Sequence, residues 1–192
     1  ARMDRFMDRG SADPRVIQIA QQVAMTRAPR DEDAQANALM GWVRAHTHYV
    51  HDPLGKELVK DVDYMMREIA THGRAPSDCD DQVVLLGALL RSIGIDAQPI
   101  VVSPDSGPYS HVLLRYASPT SGWVTLDPIT KNGPGWFPMG AVRVGVYANG
   151  RINPTAPPML QGMPGPGDAT PRGRLAAAAA AGKLAIPVAP YR

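Results

Sequence analysis

Residues 78–102 read DCDDQVVLLGALLRSIGIDAQPIVV, and the spacing of their apolar side chains changes halfway along. From Gln82 to Gly94 the segment is apolar almost all round, and a glycine stands where a helix commonly has its C′ residue. Beyond Gly94 the apolar period drops from about 3.6 residues to about 2, and β-branched residues become frequent. The stretch therefore predicts a buried central helix that is followed directly by a strand.

Helices are predicted before this stretch and strands after it. Asp13-Pro14 combines an N-cap with a first-turn proline and predicts a helix over 14–27. The acidic start Asp31-Glu32-Asp33 predicts a second helix that ends near 46–49. The remaining predicted elements are a turn at 52–55, a short helix at 62–69, a loop at 71–76 and strands at 98–103, 111–117, 122–127 and 141–147. Because short loops join the strands, we expect an antiparallel sheet packed on the buried helix, which is an α+β fold.

The composition changes after residue 150. Residues 151–192 contain 8 Pro and 5 Gly in 42 positions and carry a net charge of +4, whereas residues 1–150 carry −2. Such a segment cannot bury a core of its own, so we expect one domain at 1–150 and an extended basic arm at 151–192. Apolar side chains along the arm favour docking on other subunits: Met159, Leu160, Leu184, Ile186, Val188 and Tyr191. No basic stripe with interleaved aromatic residues accompanies them, which argues against specific nucleic-acid binding.

Cys79 is the only cysteine of the chain, so it cannot form an internal disulfide. It stands at the predicted start of the buried helix, where unpaired N–H groups and the helix dipole favour the thiolate, the nucleophilic form. The carboxylates of Asp78, Asp80 and Asp81 oppose this effect, so a cationic neighbour such as a histidine is needed. The alternative is that Cys79 is a small buried hydrophobic residue.

A histidine and an aspartate stand at the ends of two predicted strands. His111 begins one strand, 32 residues after Cys79, and Asp127 ends another strand 16 residues later. If these strands are neighbours, the two side chains lie at one edge of the sheet, over the helix start that carries Cys79. Nucleophile, base and orienting acid in this arrangement form an acyl-transfer triad. A strand histidine and an Asp-Pro turn are also common in purely structural roles.

The segments DCDDQVVLLGALLRSIGIDAQPIVV, HVLLRY and GWVTLDP together resemble the core of the transglutaminase-like superfamily, which has a papain-like cysteine fold. The upstream segment WVRAHTHYVHDP is similar to the helix of that family that ends in a tyrosine, so the resemblance covers residues 35–135. The resemblance implies a triad in which Cys79 is the nucleophile, His111 the base and Asp127 the orienting residue.

The Asp-Pro pair, Glu57 and the Asp-Cys-Asp-Asp sequence are similar to those of transglutaminase-like proteins encoded by tailed phages and prophages. This similarity implies synthesis in the cytoplasm of a bacterial host and assembly with other subunits of a phage particle. His111 is followed by Val112 and Leu113 where the family often has Ala-Trp, so the substrate contacts differ. Nothing in the chain matches the calcium sites of animal transglutaminases.

Four further side chains are candidates for contacts with a substrate. His72 is a candidate for the oxyanion site together with the N–H of Cys79, or it is only a loop residue. Asp80 and Asp81 are candidates for selecting a cationic substrate group, although carboxylates are common in the first turn of a helix. Trp42 is a groove or core aromatic residue.

Three histidines with the spacing of metal ligands lie near the end of the second predicted helix, at His46, His48 and His51. Cationic side chains that meet the exposed carbonyls of a helix C-terminus explain the same pattern. Residues 46 and 48 also point apart on a helix. We therefore expect no metal and no cofactor.

The function that these features favour is hydrolysis of a peptide or amide bond through a thioester on Cys79, with cross-linking as the less favoured outcome. The alternative is a virion structural or assembly protein that uses the fold as a scaffold with vestigial or no catalysis. The first ten residues lack the apolar segment of a secretory signal, and no apolar run is long enough for a bilayer. We therefore expect cytoplasmic synthesis and no membrane partner.

Overall fold

The computed structural model describes residues 2–53, 58–103, 107–138, 140–148 and 151–155. The helices of this part are α1 (Arg2–Ser11), α2 (Pro14–Ala24), α3 (Glu32–His46), α4 (Val62–His72) and α5 (Cys79–Ser92). Its strands are β1 (Thr47–Tyr49), β2 (Ala75–Ser77), β3 (Ala97–Ser103), β4 (His111–Ser118), β5 (Gly122–Leu126), β6 (Arg143–Ala148) and β7 (Arg151–Thr155). All five helices of this part precede the five-stranded sheet in the chain, which confirms the α+β prediction.

Five strands form one antiparallel sheet in the order β5-β4-β3-β6-β7. Within it, Val102 pairs with His111, and Leu114 pairs with Leu126. The apolar side chains of α5 pack against one face of this sheet, and both contribute to a single buried cluster. Burial of each large aliphatic side chain contributes about 1.5–3 kcal/mol, so α5 is the main organiser of the core. The sheet packed on a buried central helix is confirmed.

Helix α1 is absent from the sequence-based prediction, and it packs against α5. The side chain of Met7 is fully buried and lies against Gly87, where any Cβ would collide with it. At the other end of the contact, the guanidinium of Arg91 binds the carboxylates of Asp4 and Asp8. Met3, Phe6 and Met7 of this charged segment recur at the spacing of one helical face, so α1 has a local signal that the prediction did not use, and packing on α5 stabilises so short a helix.

Helix α4 begins after Asp61, whose side chain accepts the N–H of Asp63. The helix ends before Gly73, which has a φ of 79° in the left-handed region that favours glycine. The predicted helix at 62–69 therefore continues to His72.

Two other predictions differ from the structure. The helix predicted at 14–27 is α2, which ends at Ala24. The loop predicted at 71–76 contains the end of α4 and the start of β2. Strand β2 pairs in parallel with β1, with Thr47 opposite Ala75, and this pair joins the end of α3 to the residues before Cys79. Such long-range pairing leaves no local sequence signal.

The first five residues of the predicted arm, Arg151–Thr155, form β7 and pair with β6. The rest of the arm, 156–192, lies outside the described residues, including its apolar anchors. The boundary at residue 150 and the arm stay predictions. Among the described helices, each is too short or too polar to cross a bilayer.

Candidate active site

The start of α5 is held by a reciprocal capping box. The side chain of Asp78 accepts the N–H of Asp81, and the side chain of Asp81 accepts the N–H of Asp78. Asp81 is fully buried and also binds Lys60 twice, through the backbone N–H at 2.6 Å and through the ammonium group. The capping box and Lys60 thus fix the helix turn that carries Cys79.

The thiol of Cys79 is half-buried at the first position of α5. Burial first, and then the charges of Asp80 and Asp78, raise the pKa of this thiol to about 12. Hydrogen bonds from the backbone N–H groups of Val112 and Asp80 act in the opposite direction. The bond from Val112 lays the sulfur against β4, one residue from His111. At neutral pH the sulfur is therefore a thiol that must lose its proton before it can attack a carbonyl.

His111 and Asp127 lie side by side at the edge of the sheet, as their positions in the sequence predict. The Nε2 atom of His111 is 3.0 Å from Oδ2 of Asp127, and both side chains are buried. The other carboxylate oxygen of Asp127 accepts the N–H groups of Ile129 and Thr130. These bonds orient the carboxylate toward the imidazole, which can donate to it from Nε2.

Arg44 is a residue of this region that sequence reasoning missed. Its guanidinium donates to the backbone carbonyls of Asp127, Pro128 and Asn132. Burial lowers the pKa of Arg44, and the charge of Asp127 acts in the opposite direction. Within WVRAH, an arginine near the end of an amphipathic helix gives no sign of its partners 83 to 88 residues away.

The carboxylates of Asp78, Asp80 and Asp81 lie with ligand oxygens within 4.8 Å of one another, and all three residues are buried. Burial raises the pKa of Asp78 to about 7, and a hydrogen bond with Asp80 adds to this effect. Burial also raises the pKa of Asp81 to about 6, although Lys60 opposes the rise. The crowding of these carboxyl groups disfavours three simultaneous negative charges. Among the described residues, these three aspartates form the cluster whose carboxylate oxygens suit a hard cation such as Ca²⁺ or Mg²⁺.

The remaining sequence candidates have contacts within their own helices. His72 is exposed in the last turn of α4, with Nε2 4.0 Å from Glu68 of the same helix. Trp42 is half-buried and stacks on His46 with ring centroids 4.2 Å apart. The ring of His46 also contacts the carbonyl of Trp42, at the C-terminal end of α3.

His48 and His51 do not share a ligand cluster with His46 among the residues that the structure describes. His48 lies on β1, and the ring of His51 packs edge-on against Tyr49 with centroids 4.9 Å apart. The three histidines are thus distributed over a helix end, a strand and the residues beyond it.

A family model described as the transglutaminase-like superfamily matches residues 17–128. This range contains the helix start with Cys79, the strand with His111, and Asp127. A search of curated protein sequences gives no significant match.

Several solved structures are similar in fold. A candidate protease from Parabacteroides distasonis ATCC 8503 aligns with a TM-score of 0.54 and 13% identity, over 75% of this chain and 28% of that one. The periplasmic domain of TgpA from Pseudomonas aeruginosa aligns with a TM-score of 0.43 and 19% identity, over 65% of this chain and 47% of that one. A candidate cysteine protease from Cytophaga hutchinsonii aligns with a TM-score of 0.44 and 16% identity, over 74% of this chain and 48% of that one. The chain spans less than half of each of these proteins, and at these identities the likeness concerns the fold alone.

Proposed function

The chain belongs to the transglutaminase-like superfamily, and we propose that it is a cysteine-dependent acyl-transfer enzyme that hydrolyses a peptide or amide bond. The observation that carries this proposal is the contact of His111 Nε2 with Asp127 Oδ2 at 3.0 Å. Val112, the residue after His111 on β4, donates its backbone N–H to the sulfur of Cys79. A buried imidazole that is oriented by a carboxylate beside a thiol is the arrangement of a nucleophile, its base and an orienting residue.

In the first half-reaction, Nδ1 of His111 takes the proton of Cys79 as the sulfur attacks the carbonyl carbon. Because the pKa of the thiol is raised to about 12, this transfer accompanies attack and leaves no standing thiolate. The backbone N–H of Cys79, at the first position of α5, is available to the oxyanion. The carbon–nitrogen bond then breaks, and His111 protonates the leaving amine.

In the second half-reaction, His111 removes a proton from water, which attacks the thioester and releases the acid and the free thiol. An amine in place of water would give cross-linking, and we propose hydrolysis as the main outcome. The carboxylates of Asp80 and Asp78 beside the thiol favour a substrate that carries a cationic group, such as the amine of a diamino acid. Peptidoglycan stem peptides and phage structural proteins are the substrate classes that we propose.

The test compares Cys79→Ala, His111→Ala and Asp127→Asn with the unmodified chain. Acylation is followed by release of nitrophenolate from p-nitrophenyl acetate, and hydrolysis by release of new amines from isolated sacculi. We expect loss of both reactions in the first two variants, and a remainder about 10²–10⁴-fold below the unmodified rate in Asp127→Asn. Full activity of Cys79→Ala would contradict the proposal. Unfolding of this variant would instead support Cys79 as a buried core residue.

A second candidate is a phage-particle protein that keeps the fold as a scaffold without catalysis. The raised pKa of Cys79 favours it, since a protonated and half-buried thiol is a poor nucleophile. The composition of 151–192 agrees with an arm that docks on other subunits. On this reading the chain is made in the cytoplasm of a bacterial host and incorporated into a virion. An active Cys79 in the acylation assay would exclude a scaffold without catalysis.

A further inference from the structure

One guanidinium connects α3 to the turn that follows β5. The NH2 group of Arg44 donates to the carbonyl of Asp127 at 2.7 Å and to the carbonyl of Asn132 at 2.7 Å. Its Nε donates to the carbonyl of Pro128 at 3.3 Å. The guanidinium is half-buried, and its planar donors reach both ends of the turn at once.

The same turn carries the residue that orients His111. The carboxylate of Asp127 is held from inside the turn by the N–H groups of Ile129 and Thr130, and its backbone carbonyl is held from outside by Arg44. Only 1% of the surface of Asp127 is exposed, so solvent cannot replace these donors. The backbone of Asp127 therefore depends on Arg44 for its position.

The charge of Arg44 also acts on the same carboxylate. The positive charge of the guanidinium and the negative charge of Asp127 attract each other, which offsets part of the effect of burial on Arg44. A buried carboxylate without a compensating charge is costly, and His111 is charged only when it has taken a proton. Arg44 supplies a positive charge near Asp127 throughout the reaction.

We infer that Arg44 is a positioning residue for the proposed acyl transfer and that it acts through Asp127. The inference rests on the proposed function. Arg44 holds the turn so that the Asp127 carboxylate meets Nε2 of His111, which orients the imidazole for the proposed proton transfer. A lysine at position 44 provides the charge but not the planar donors, so it should restore only part of the effect.

The test measures the acylation of Cys79 by p-nitrophenyl acetate, in which the sulfur–carbon bond forms and nitrophenolate leaves. The variants are Arg44→Lys and Arg44→Met in the full chain, with Arg67→Met as the matched control. Arg67 is an exposed arginine of α4 that pairs with Asp63. We expect Arg44→Met to lower the rate constant about 10–100-fold, Arg44→Lys to lie between it and the unmodified chain, and Arg67→Met to have no effect.

A second arm separates positioning through Asp127 from a general structural role. In an Asp127→Asn background the orienting function is already lost, so Arg44→Met should lower the acylation rate by less than about 3-fold further. Equal losses in both backgrounds would overturn the inference. If Arg44→Met fails to fold, Arg44→Lys is measured in the same two backgrounds, and the same comparison decides.

The result also distinguishes this inference from the proposed function. Acylation that persists in Cys79→Ala would overturn the proposed function and the inference together. Acylation that requires Cys79 and His111 but is unchanged in Arg44→Met would overturn the inference alone.

Discussion

Cys79 is subject to opposing influences from its immediate neighbours. The N–H groups of Val112 and Asp80 stabilise a negative sulfur, whereas burial and the carboxylates of Asp80 and Asp78 disfavour it. Burial is the largest of these effects, so the thiol stays protonated in the free protein. The proposed acyl transfer would then need proton transfer to His111 and not a thiolate that is present beforehand.

A variant of Asp80 tests this balance of charges. A negative neighbour raises the pKa of a thiol, so Asp80→Asn should lower the pKa of Cys79, while the larger effect of burial remains. The rate of alkylation by iodoacetamide, measured from about pH 6 to pH 11, reports the thiolate fraction, and at each pH it should be higher in Asp80→Asn than in the unmodified chain. Asp63→Asn, on the exposed surface of α4, is the control and should leave the alkylation rate unchanged.

Two outcomes would contradict this description of Cys79. One is an unmodified chain whose alkylation midpoint already lies well below the value of about 8.5 for free cysteine. That result would mean that the imidazolium of His111 outweighs burial. The other is an Asp80→Asn variant that is alkylated at the same rate as the unmodified chain at every pH.

At the scale of elements, the position of Cys79 depends on how α5 packs. Helix α1 approaches α5 at Gly87, where the side chain of Met7 occupies the space that a Cβ would need. Arg91, in the last turn of α5, adds ion pairs with α1. The contact fixes the far end of the helix whose first residue is Cys79.

Two helical glycines offer a matched comparison. A Cβ at Gly87 would collide with Cε of the buried Met7, so Gly87→Ala should destabilise the fold by about 1–3 kcal/mol. A Cβ added at Gly41, inside α3, would meet no atom within 4 Å, so Gly41→Ala should stabilise by about 0.5–1 kcal/mol. Urea unfolding measures both, and Met7→Ala should recover part of the loss in Gly87→Ala. A Gly87→Ala variant as stable as the unmodified chain would contradict the packing of α1 on α5.

At the scale of the whole molecule, the candidate site joins two layers of the fold. Cys79 belongs to the helical layer, whereas His111 and Asp127 belong to the sheet. Strand β7 closes the far edge of that sheet, with the side chain of Ile152 over Gly145 of β6. The sheet therefore includes residues beyond the boundary predicted at residue 150.

Two truncations separate this strand from the rest of the predicted arm. A chain that ends at Thr155 keeps β7, and its melting temperature should equal that of the full chain. A chain that ends at Gly150 lacks the pairing with β6, and its melting temperature should fall by about 2–8 °C. Both should retain acylation of Cys79, and both should lose the proposed incorporation into a particle. Equal melting temperatures for the two truncations would contradict a stabilising role for β7.

The sequence by itself determined the elements whose signals are local. The apolar surface of α5 and the alternation after Gly94 lie within a few residues of one another, so they predict a helix and a strand directly. The same locality explains why Cys79 could be placed at a helix start and His111 at a strand start before any contact was known. Their roles in catalysis remain a proposal.

Only the tertiary structure decided what depends on residues that are distant in the chain. The packing of α1 on α5, the parallel pair of β1 and β2, and the addition of β7 to the sheet each need a partner that no local pattern specifies. Arg44 is the clearest case, since its bonds to the turn at 127–132 cross more than 80 residues. The spacing of apolar residues in the sequence indicates which face of a helix or strand a side chain occupies. Its hydrogen-bond partners are fixed only when the helical layer packs on the sheet.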